Sequence, residues 1–179
     1  MTKNPIAATQ AWLTNIIIAH GICPFAKREV ERGSIRYSVD DNSDIENCLL
    51  TLTLECDRLD SDAAIATTLL IYPNSFSVFD DYLDFLDLAE ALLAAQGYDG
   101  IYQLASFHPD YCFDGAKHND PANYTNRSPY PMLHLLRESS IEHAISNYPH
   151  PETIPERNIE LTRQLGLAKM QALLALCYE

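Results

Sequence analysis

Three stretches of the chain have the pattern of hydrophobic and polar residues that is typical of β-strands. Residues 34–39 alternate, with Ile35, Tyr37 and Val39 on one side, which predicts a half-buried strand at a sheet edge. Residues 67–72 are apolar throughout, as expected of a strand that is covered on both faces. Residues 101–107 form a third apolar stretch, so the pattern predicts three strands.

Apolar residues spaced by three and four positions predict helices before, between and after these strands. The first helix begins with Asn4 as its N-cap and Pro5 at its first helical position. The clearest helix follows the second strand and ends at Gly97. The remaining predicted helices start at Cys23-Pro24, at the capping box of Ser43 and Glu46, near Pro131, at Ser139 and at Thr153.

The order of these elements contains two β-α-β units, which favour parallel strands joined by right-handed crossovers. The pattern therefore predicts an α/β fold with a small, largely parallel three-stranded sheet and five to seven helices packed on it. Because three strands are few for such a sheet, an α+β fold with a mixed sheet is the alternative. No linker or repeat is visible, so we expect one globular domain over residues 1–179.

Composition limits the classes of partner. The chain has 179 residues, a formal charge of −13 and a pI near 4.7. This balance argues against nucleic acid and anionic membranes as partners, because both require a basic surface. The five cysteines are an odd set without a CxxC pair, as in reduced cytosolic proteins. Without a secretion signal or a membrane-spanning stretch, we expect a cytoplasmic protein.

Residues 106–138 concentrate the candidate chemistry in one long, polar and irregular segment. His108 and Asp110 follow the third strand, and ligands of open α/β sheets gather beyond the carboxyl ends of parallel strands. We predict that His108 is a catalytic acid or base and that Asp110 orients it. The alternative is structural, with Asp110 capping a turn and His108 donating to a carbonyl group.

The same segment supplies candidate binding groups for a small anion. Arg127 lies in a rigid loop after Asn126, where a guanidinium is suited to binding carboxylate or phosphate. On a helix that begins near Pro131, Tyr130, His134 and Arg137 would share one stripe. We predict that His134 is catalytic and that the substrate-binding residues are Arg127, Arg137, Tyr130, Asn126, Tyr111 and Lys27.

Cys23 is the fourth catalytic candidate. If it caps a helix at Pro24, with Lys27 nearby, its pKa falls and the thiolate becomes nucleophilic. A buried and unreactive cysteine is the alternative. We predict no cofactor or metal, although His108, Asp110 and His134 together have the composition of a two-histidine-one-carboxylate site for a transition metal.

Three blocks of sequence carry a resemblance to a known family: GICPFAK from Gly21, ASFHPDY from Ala105 and NYTNRSPYPMLHLLRE from Asn123. They resemble the bacterial family catalogued as domain of unknown function 1415. The resemblance implies a single-domain cytosolic protein and transfers no catalytic residue. The motifs of P-loop, GxSxG and HExxH enzymes are absent from the sequence.

Our functional prediction is an enzyme or binding protein for a small anionic metabolite, with a pocket built by residues 106–138. One alternative is a non-catalytic protein-interaction module that uses this segment as an ordered surface. The second alternative is a metal-dependent enzyme that uses His108, Asp110 and His134.

Overall fold

The computed structural model describes residues 4–179, which form four β-strands and seven α-helices. The strands are β1 (Ile35–Val39), β2 (Thr67–Ile71), β3 (Tyr102–Phe107) and β4 (Met132–Arg137). The helices are α1 (Pro5–Trp12), α2 (Ala26–Arg32), α3 (Ile45–Ser61), α4 (Phe79–Ala95), α5 (Glu138–Ser146), α6 (Ile154–Leu165) and α7 (Leu167–Ala175). A π-helical segment, Leu13–Ile18, extends α1, and 3₁₀ turns cover Pro121–Thr125, Pro151–Thr153 and Leu176–Tyr178.

The strands form one mixed sheet in the order β1-β2-β4-β3. β1 and β2 are parallel, whereas β4 is antiparallel to both β2 and β3. The prediction of a largely parallel three-stranded sheet is therefore wrong, and the mixed-sheet alternative agrees with the structure. Because β4 is reversed relative to both of its neighbours, β1, β2 and β3 all run in one direction and end at the same edge. We call this edge the carboxyl edge.

β4 replaces the helix that the sequence predicted from Pro131. Its residues pair with Thr67–Ile71 on one side and Tyr102–Phe107 on the other, so its backbone groups complete two ladders. Leucine has a good intrinsic helix propensity, but this preference amounts to roughly tenths of a kcal/mol per residue. Pairing with strands on both sides outweighs it. The stripe predicted for Tyr130, His134 and Arg137 therefore does not exist. Alternation along the strand turns His134 and Arg137 to opposite faces.

Two hydrophobic cores cover the two faces of the sheet. On the first face, which we call face A, α3 and α4 bury Leu52 and Phe85 against Leu133 and Leu135 of β4. On face B, α1, the π-helical segment and α7 pack around Trp12, Ile16 and Met132. Each face of the sheet is thus covered by its own hydrophobic core. No helix within residues 4–179 is long and apolar enough to cross a bilayer.

Some helix ends follow the local rules and others do not. The Asn4 side chain accepts a hydrogen bond from the Ile6 N–H at 2.8 Å, as predicted for the start of α1. Gly33 ends α2 with a φ of 64°, a conformation that costs glycine little. The predicted capping box of Ser43 and Glu46 is wrong, since Asp44 caps α3 by accepting from the Asn47 N–H at 2.9 Å.

One buried carboxylate on face A is fully compensated. Glu55 of α3 is 4% exposed and accepts hydrogen bonds from Arg36 at 2.8 and 3.1 Å. It also accepts from Ser38 at 3.1 Å and from Thr68 at 3.3 Å, which fastens α3 to β1 and β2. Arg58 lies 3.6 Å from the same carboxylate. The charge and lone pairs of Glu55 therefore have partners within the fold.

Candidate functional site

The carboxyl edge brings together residues that follow three different strands. Val39, Ile71 and Phe107 close β1, β2 and β3, and the register places Ile71 and Phe107 opposite the same residue, Met132. The next residues are Asp40, Tyr72 and His108, all of them buried. Alternation turns these three side chains to face A, beside the first turns of α3 and α4. The prediction that His108 emerges at this edge is therefore correct in its placement.

His108 makes a fixed set of hydrogen bonds in this position. It is 0% exposed; its Nε2 donates to the Phe76 carbonyl at 2.8 Å, and its Nδ1 accepts from the Asp110 N–H at 3.0 Å. Burial lowers the pKa of His108, which favours the neutral ring that this pattern requires. The structural alternative described above is correct for His108, which donates to a carbonyl group. Neither ring nitrogen is left over for a substrate.

Phe76 holds its acceptor carbonyl in a strained backbone conformation. Its φ is 57°, in the left-handed region that side chains with a Cβ rarely adopt. The ring stacks on Phe85 with centroids 4.1 Å apart and meets Tyr72 edge-on at 5.4 Å. The loop between β2 and α4 is thus held by aromatic packing on one side and by His108 on the other.

Arg127 is a buried cation in the candidate segment. Only 6% of the residue is exposed, and its Nε donates to the Tyr111 carbonyl at 3.0 Å and its Nη2 to the His118 carbonyl at 2.9 Å. The guanidinium carbon lies 4.8 Å from the centre of the Tyr124 ring. Within residues 4–179 no carboxylate forms an ion pair with Arg127, and Nη1 makes no hydrogen bond to the protein. Its charge is therefore only partly compensated.

The segment around Arg127 is ordered by side chains that bind its own backbone. Asn123 is fully buried, accepts from the Phe113 N–H at 3.1 Å and donates to the Lys117 carbonyl at 2.9 Å. Asn126 donates to the Ser106 carbonyl at 3.1 Å, so its amide builds the loop instead of facing a ligand. These bonds hold Arg127 in one position.

An ion pair fastens the same segment to α6. Asp120 accepts from Arg163 at 2.6 and 3.1 Å and caps the following 3₁₀ turn through the Ala122 N–H. The Arg163 hydrogen bonds lower the pKa of Asp120 to about 2. Tyr111 contributes its carbonyl to Arg127 while its ring packs against Phe79 at 5.3 Å.

Arg137 lies away from Arg127, and the Tyr130 ring has an aromatic partner of its own. The register pairs Arg137 with Tyr102 at the start of β3, so about 17 Å of strand separates it from the carboxyl edge. Its Nη2 donates to the carbonyls of Leu59 and Ile65, at the C-terminal end of α3, where a cation is favoured. Tyr130 packs edge-on against Tyr178 at 6.0 Å. The two arginines therefore do not converge on one anion.

His134 lies on face B and does not meet His108. Its Nε2 is buried without a hydrogen-bond partner in the described part of the chain, and burial lowers its pKa to about 4. Asp110 is exposed, on the loop beyond β3. His108, Asp110 and His134 therefore do not form a metal site, and residues 4–179 contain no group of three or more His, Cys, Asp or Glu side chains that would hold a metal.

Cys23 does not cap a helix. The N-cap of α2 is Phe25, and Cys23 precedes it in a turn where it packs partly buried against the face B core. Lys27 is an exposed residue of α2 that pairs with Glu31 at 3.7 Å. The conditions that would have made this thiol a nucleophile are therefore not met.

Asp40 and Tyr72 are two residues that the sequence analysis missed. Asp40 is 3% exposed and Tyr72 0% exposed, and both the Asp40 Oδ2 and the Tyr72 hydroxyl are buried without a partner among residues 4–179. Most buried polar groups are hydrogen-bonded, so each exception needs an explanation. Their position directly after β1 and β2 was the available signal, since the rule that pointed to His108 applies to these strands as well.

Two clefts lie elsewhere on the molecule. One of about 470 Å³ is bounded by α1, α2 and β1 and includes Gln10, Val30 and Tyr37 in its lining. Another of about 330 Å³ is lined by His20, Arg157 and neighbouring residues of α6. Neither is lined by a residue of the segment 106–138.

Comparison with known proteins gives one match. Residues 4–172 match the family model described as "Protein of unknown function (DUF1415)", the family that the three sequence blocks resemble. No curated protein and no solved structure matches the chain.

Proposed function

Since the chain belongs to the DUF1415 family, whose description gives no activity, we propose a function from geometry: the protein binds a small anionic metabolite at Arg127. The observation that carries the proposal is a buried guanidinium without a carboxylate partner in residues 4–179. Phosphate and carboxylate are the groups that complement such a cation.

The energetic argument rests on the cost of burying a charge. Moving an ionised group out of water costs several kcal/mol, roughly, unless an opposite charge or hydrogen bonds replace its hydration. Carbonyl dipoles from Tyr111 and His118 and the ring of Tyr124 supply part of that compensation to Arg127. The Nη1 group is left over, and an anion that contacts it would complete the set.

We favour binding over catalysis at this site. An acid or base must reach the reacting atom through a free nitrogen or oxygen. Both nitrogens of His108 are already hydrogen-bonded, and His134 lies on the other face of the sheet. Neither of the two histidines that we predicted to be catalytic therefore offers a nitrogen to an anion at Arg127. The imidazole that contacts Arg127 is His118, whose Nε2 lies 3.4 Å from the Arg127 Nη2.

The test is a thermal-shift titration at constant ionic strength. Inorganic phosphate, sulfate and citrate are titrated against matched chloride, and a ligand that prefers the folded state raises the apparent Tm in a saturable manner. We expect at least one of these anions to raise the Tm of the parent protein. Arg127→Gln should abolish the shift, and Arg127→Lys should reduce it because the ammonium lacks the planar fork.

Arg32→Gln is the matched control, because Arg32 is an exposed arginine at the end of α2. This variant should keep the full response to the anion. Equal responses of Arg127→Gln and the parent protein would refute the role of Arg127. A flat response of the parent protein to all three anions would count against the proposed function.

A further inference from the structure

The two partnerless groups at the carboxyl edge lie next to each other on adjacent strands. Asp40 and Tyr72 each follow their strand by one residue, and the Asp40 N–H donates to the Ile71 carbonyl at 2.8 Å. Neighbouring strands are about 4.8 Å apart, so the two side chains leave the sheet side by side on face A. The Asp40 Oδ2 and the Tyr72 hydroxyl nevertheless make no bond to each other. A polar group that contacted both atoms would satisfy both.

We propose that Asp40 and Tyr72 bind the ammonium group of a small amine. The ammonium donates one hydrogen bond to the Asp40 Oδ2 and another to the Tyr72 phenol oxygen. Burial raises the pKa of Tyr72, so the phenol stays neutral and offers a lone pair at physiological pH. This site is separate from Arg127 and rests on different residues.

Charge decides between an ammonium group and a neutral hydroxyl or water. The other Asp40 oxygen accepts from the Asn42 N–H at 2.9 Å and from the Asn42 amide at 2.6 Å, both neutral donors. No cation of residues 4–179 forms an ion pair with Asp40. A hydroxyl would satisfy the hydrogen bonds and leave the buried charge without a counter-charge. The free-energy cost of a buried charge without a counter-charge is larger than that of an unsatisfied hydrogen bond, so a cationic ligand is favoured.

The groups around the pair do not supply the missing charge. The Cys48 thiol lies beside Asp40 and Ser75, and burial raises its pKa to about 12, so it remains a neutral and weak donor. The loop that leaves β1 also carries Asp41 and Asp44, both exposed, in a protein with a net charge of −13. An acidic entrance attracts amines and repels anions.

Two hydrogen bonds close the loops over the pair. The Ser75 hydroxyl donates to the Asn42 carbonyl at 2.5 Å, and the Asn74 amide donates to the Asp41 carbonyl at 3.3 Å. These bonds join the loop after β1 to the loop after β2. In our proposal an amine enters between the two loops, where these two exposed hydrogen bonds would open.

The site is distinct from the anion site in position as well as in charge. Asp40 follows the edge strand β1, whereas Arg127 belongs to the segment that follows β3, the opposite edge strand. Three strand spacings, about 14 Å, separate the ends of these strands. The two sites are proposed for ligands of opposite charge, so they can be tested independently.

The experiment compares an amine with its matched alcohol. Methylammonium, n-butylammonium and 1,4-diaminobutane are titrated in the millimolar range, with n-butanol as the neutral analogue, and the apparent Tm is followed. We expect a saturable rise of a few degrees with at least one amine and none with n-butanol. Asp40→Asn should abolish the rise, and Tyr72→Phe should reduce the apparent affinity several-fold.

Two further variants locate the effect. Asp41→Asn removes an exposed charge from the same loop and should keep a saturable response. Arg32→Gln, at an exposed position of α2, should also keep it. The amine and anion titrations use different ligands, so failure of the anion proposal leaves this one standing. Each response is measured against the same variant without ligand, which separates ligand binding from any change in stability.

Three outcomes would overturn the proposal. Equal shifts with n-butylammonium and n-butanol would assign the effect to the alkyl chain. A response only to Ca²⁺ or Mg²⁺, abolished by Asp40→Asn, would make the carboxylate a metal ligand. Absence of any saturable response in the parent protein would leave an ordered water as the bridge between Asp40 and Tyr72.

Discussion

Glu55 and Asp40 are buried carboxylates on the same face of one sheet, and their surroundings differ sharply. Glu55, above the middle of β1 and β2, is bonded by Arg36 and by the hydroxyls of Ser38 and Thr68. Asp40, one residue beyond β1, has only Asn42 for one of its oxygens. A charge that stabilises the fold, such as that of Glu55, is paired within the fold. An unpaired charge at the edge where ligands bind is the better candidate for function.

Arg127 extends the comparison to a cation. Like Asp40 it is buried near the carboxyl edge, and like Asp40 it has neutral partners but no ion pair among the described residues. The two unpaired charges have opposite sign and lie toward opposite sides of the sheet. The contrast with Glu55 therefore predicts different responses to mutation, which the following experiments measure.

The largest loss of stability is expected for Glu55→Ala. It leaves Arg36 without its carboxylate and removes the links from α3 to Ser38 and Thr68. Removing one partner of a buried pair costs about 3 kcal/mol of unfolding free energy, measured by urea denaturation. Glu90→Ala, at an exposed position of α4, should change stability by less than about 0.5 kcal/mol. A loss below about 1 kcal/mol for Glu55→Ala would break the comparison.

His134→Leu should change the dependence of stability on pH. The folded state holds the pKa of His134 near 4, below its ordinary value, so the unfolded chain binds more protons between these two values. The parent protein is therefore fully stable with respect to this group above about pH 6.5 and loses stability as the pH falls toward 4. Between these pH values, the variant should lose less unfolding free energy than the parent protein, by on the order of 2 kcal/mol.

Urea denaturation of both proteins at several pH values from 4 to 7.5 checks this expectation. At pH 7 the variant should be slightly more stable, since leucine removes a buried nitrogen that has no partner. His143→Gln, which replaces an exposed imidazole on α5, is the control. If the unfolding free energy of His134→Leu and of the parent protein depended on pH in the same way, the lowered pKa of His134 would be contradicted.

Arg127→Gln should cost less than Glu55→Ala in the absence of ligand. The variant loses hydrogen bonds to two carbonyl groups, and it also removes a buried charge that lacks an opposite charge. The net loss is expected to be about 1 kcal/mol by urea denaturation without phosphate or sulfate. A loss as large as that of Glu55→Ala would show that Arg127 holds the loop as strongly as Glu55 holds α3.

Asp40→Asn should have the smallest effect on stability. No cation among residues 4–179 loses a partner, and an asparagine oxygen can still accept from Asn42. We expect a change within about 0.5 kcal/mol, in either direction, without added amine. A destabilisation of about 3 kcal/mol would place Asp40 with Glu55 among the charges that the fold itself requires.

The sequence allowed much of the fold to be predicted, because local patterns determine much of it. The helices α3 and α4 and the strands β1 to β3 follow from periodicity, and Asn4 caps α1 as predicted. The prediction of a helix where the structure has β4 was wrong for a physical reason. The run MLHLLR has no clear period of two, and only the gap between β2 and β3 makes it a strand.

Only those residues of the candidate site to which a local sequence rule applies could be predicted. The rule for strand ends located His108, and loop composition drew attention to Arg127. Neither rule reveals whether a nitrogen is already bonded, as in His108, or unpaired, as in Arg127. The missing partners of Asp40 and Tyr72 depend on contacts between distant segments, so they become visible only in three dimensions.

The central position of β4 has a consequence for synthesis on the ribosome. β2 and β3 are made first, but the strand that joins them emerges last of the four. Until Arg137 has left the exit tunnel, β2 and β3 each present an unpaired edge, which is the kind of surface that nascent chains use for aggregation. A ribosome-bound chain that stops before Met132 should therefore need a chaperone more than one that continues past α5.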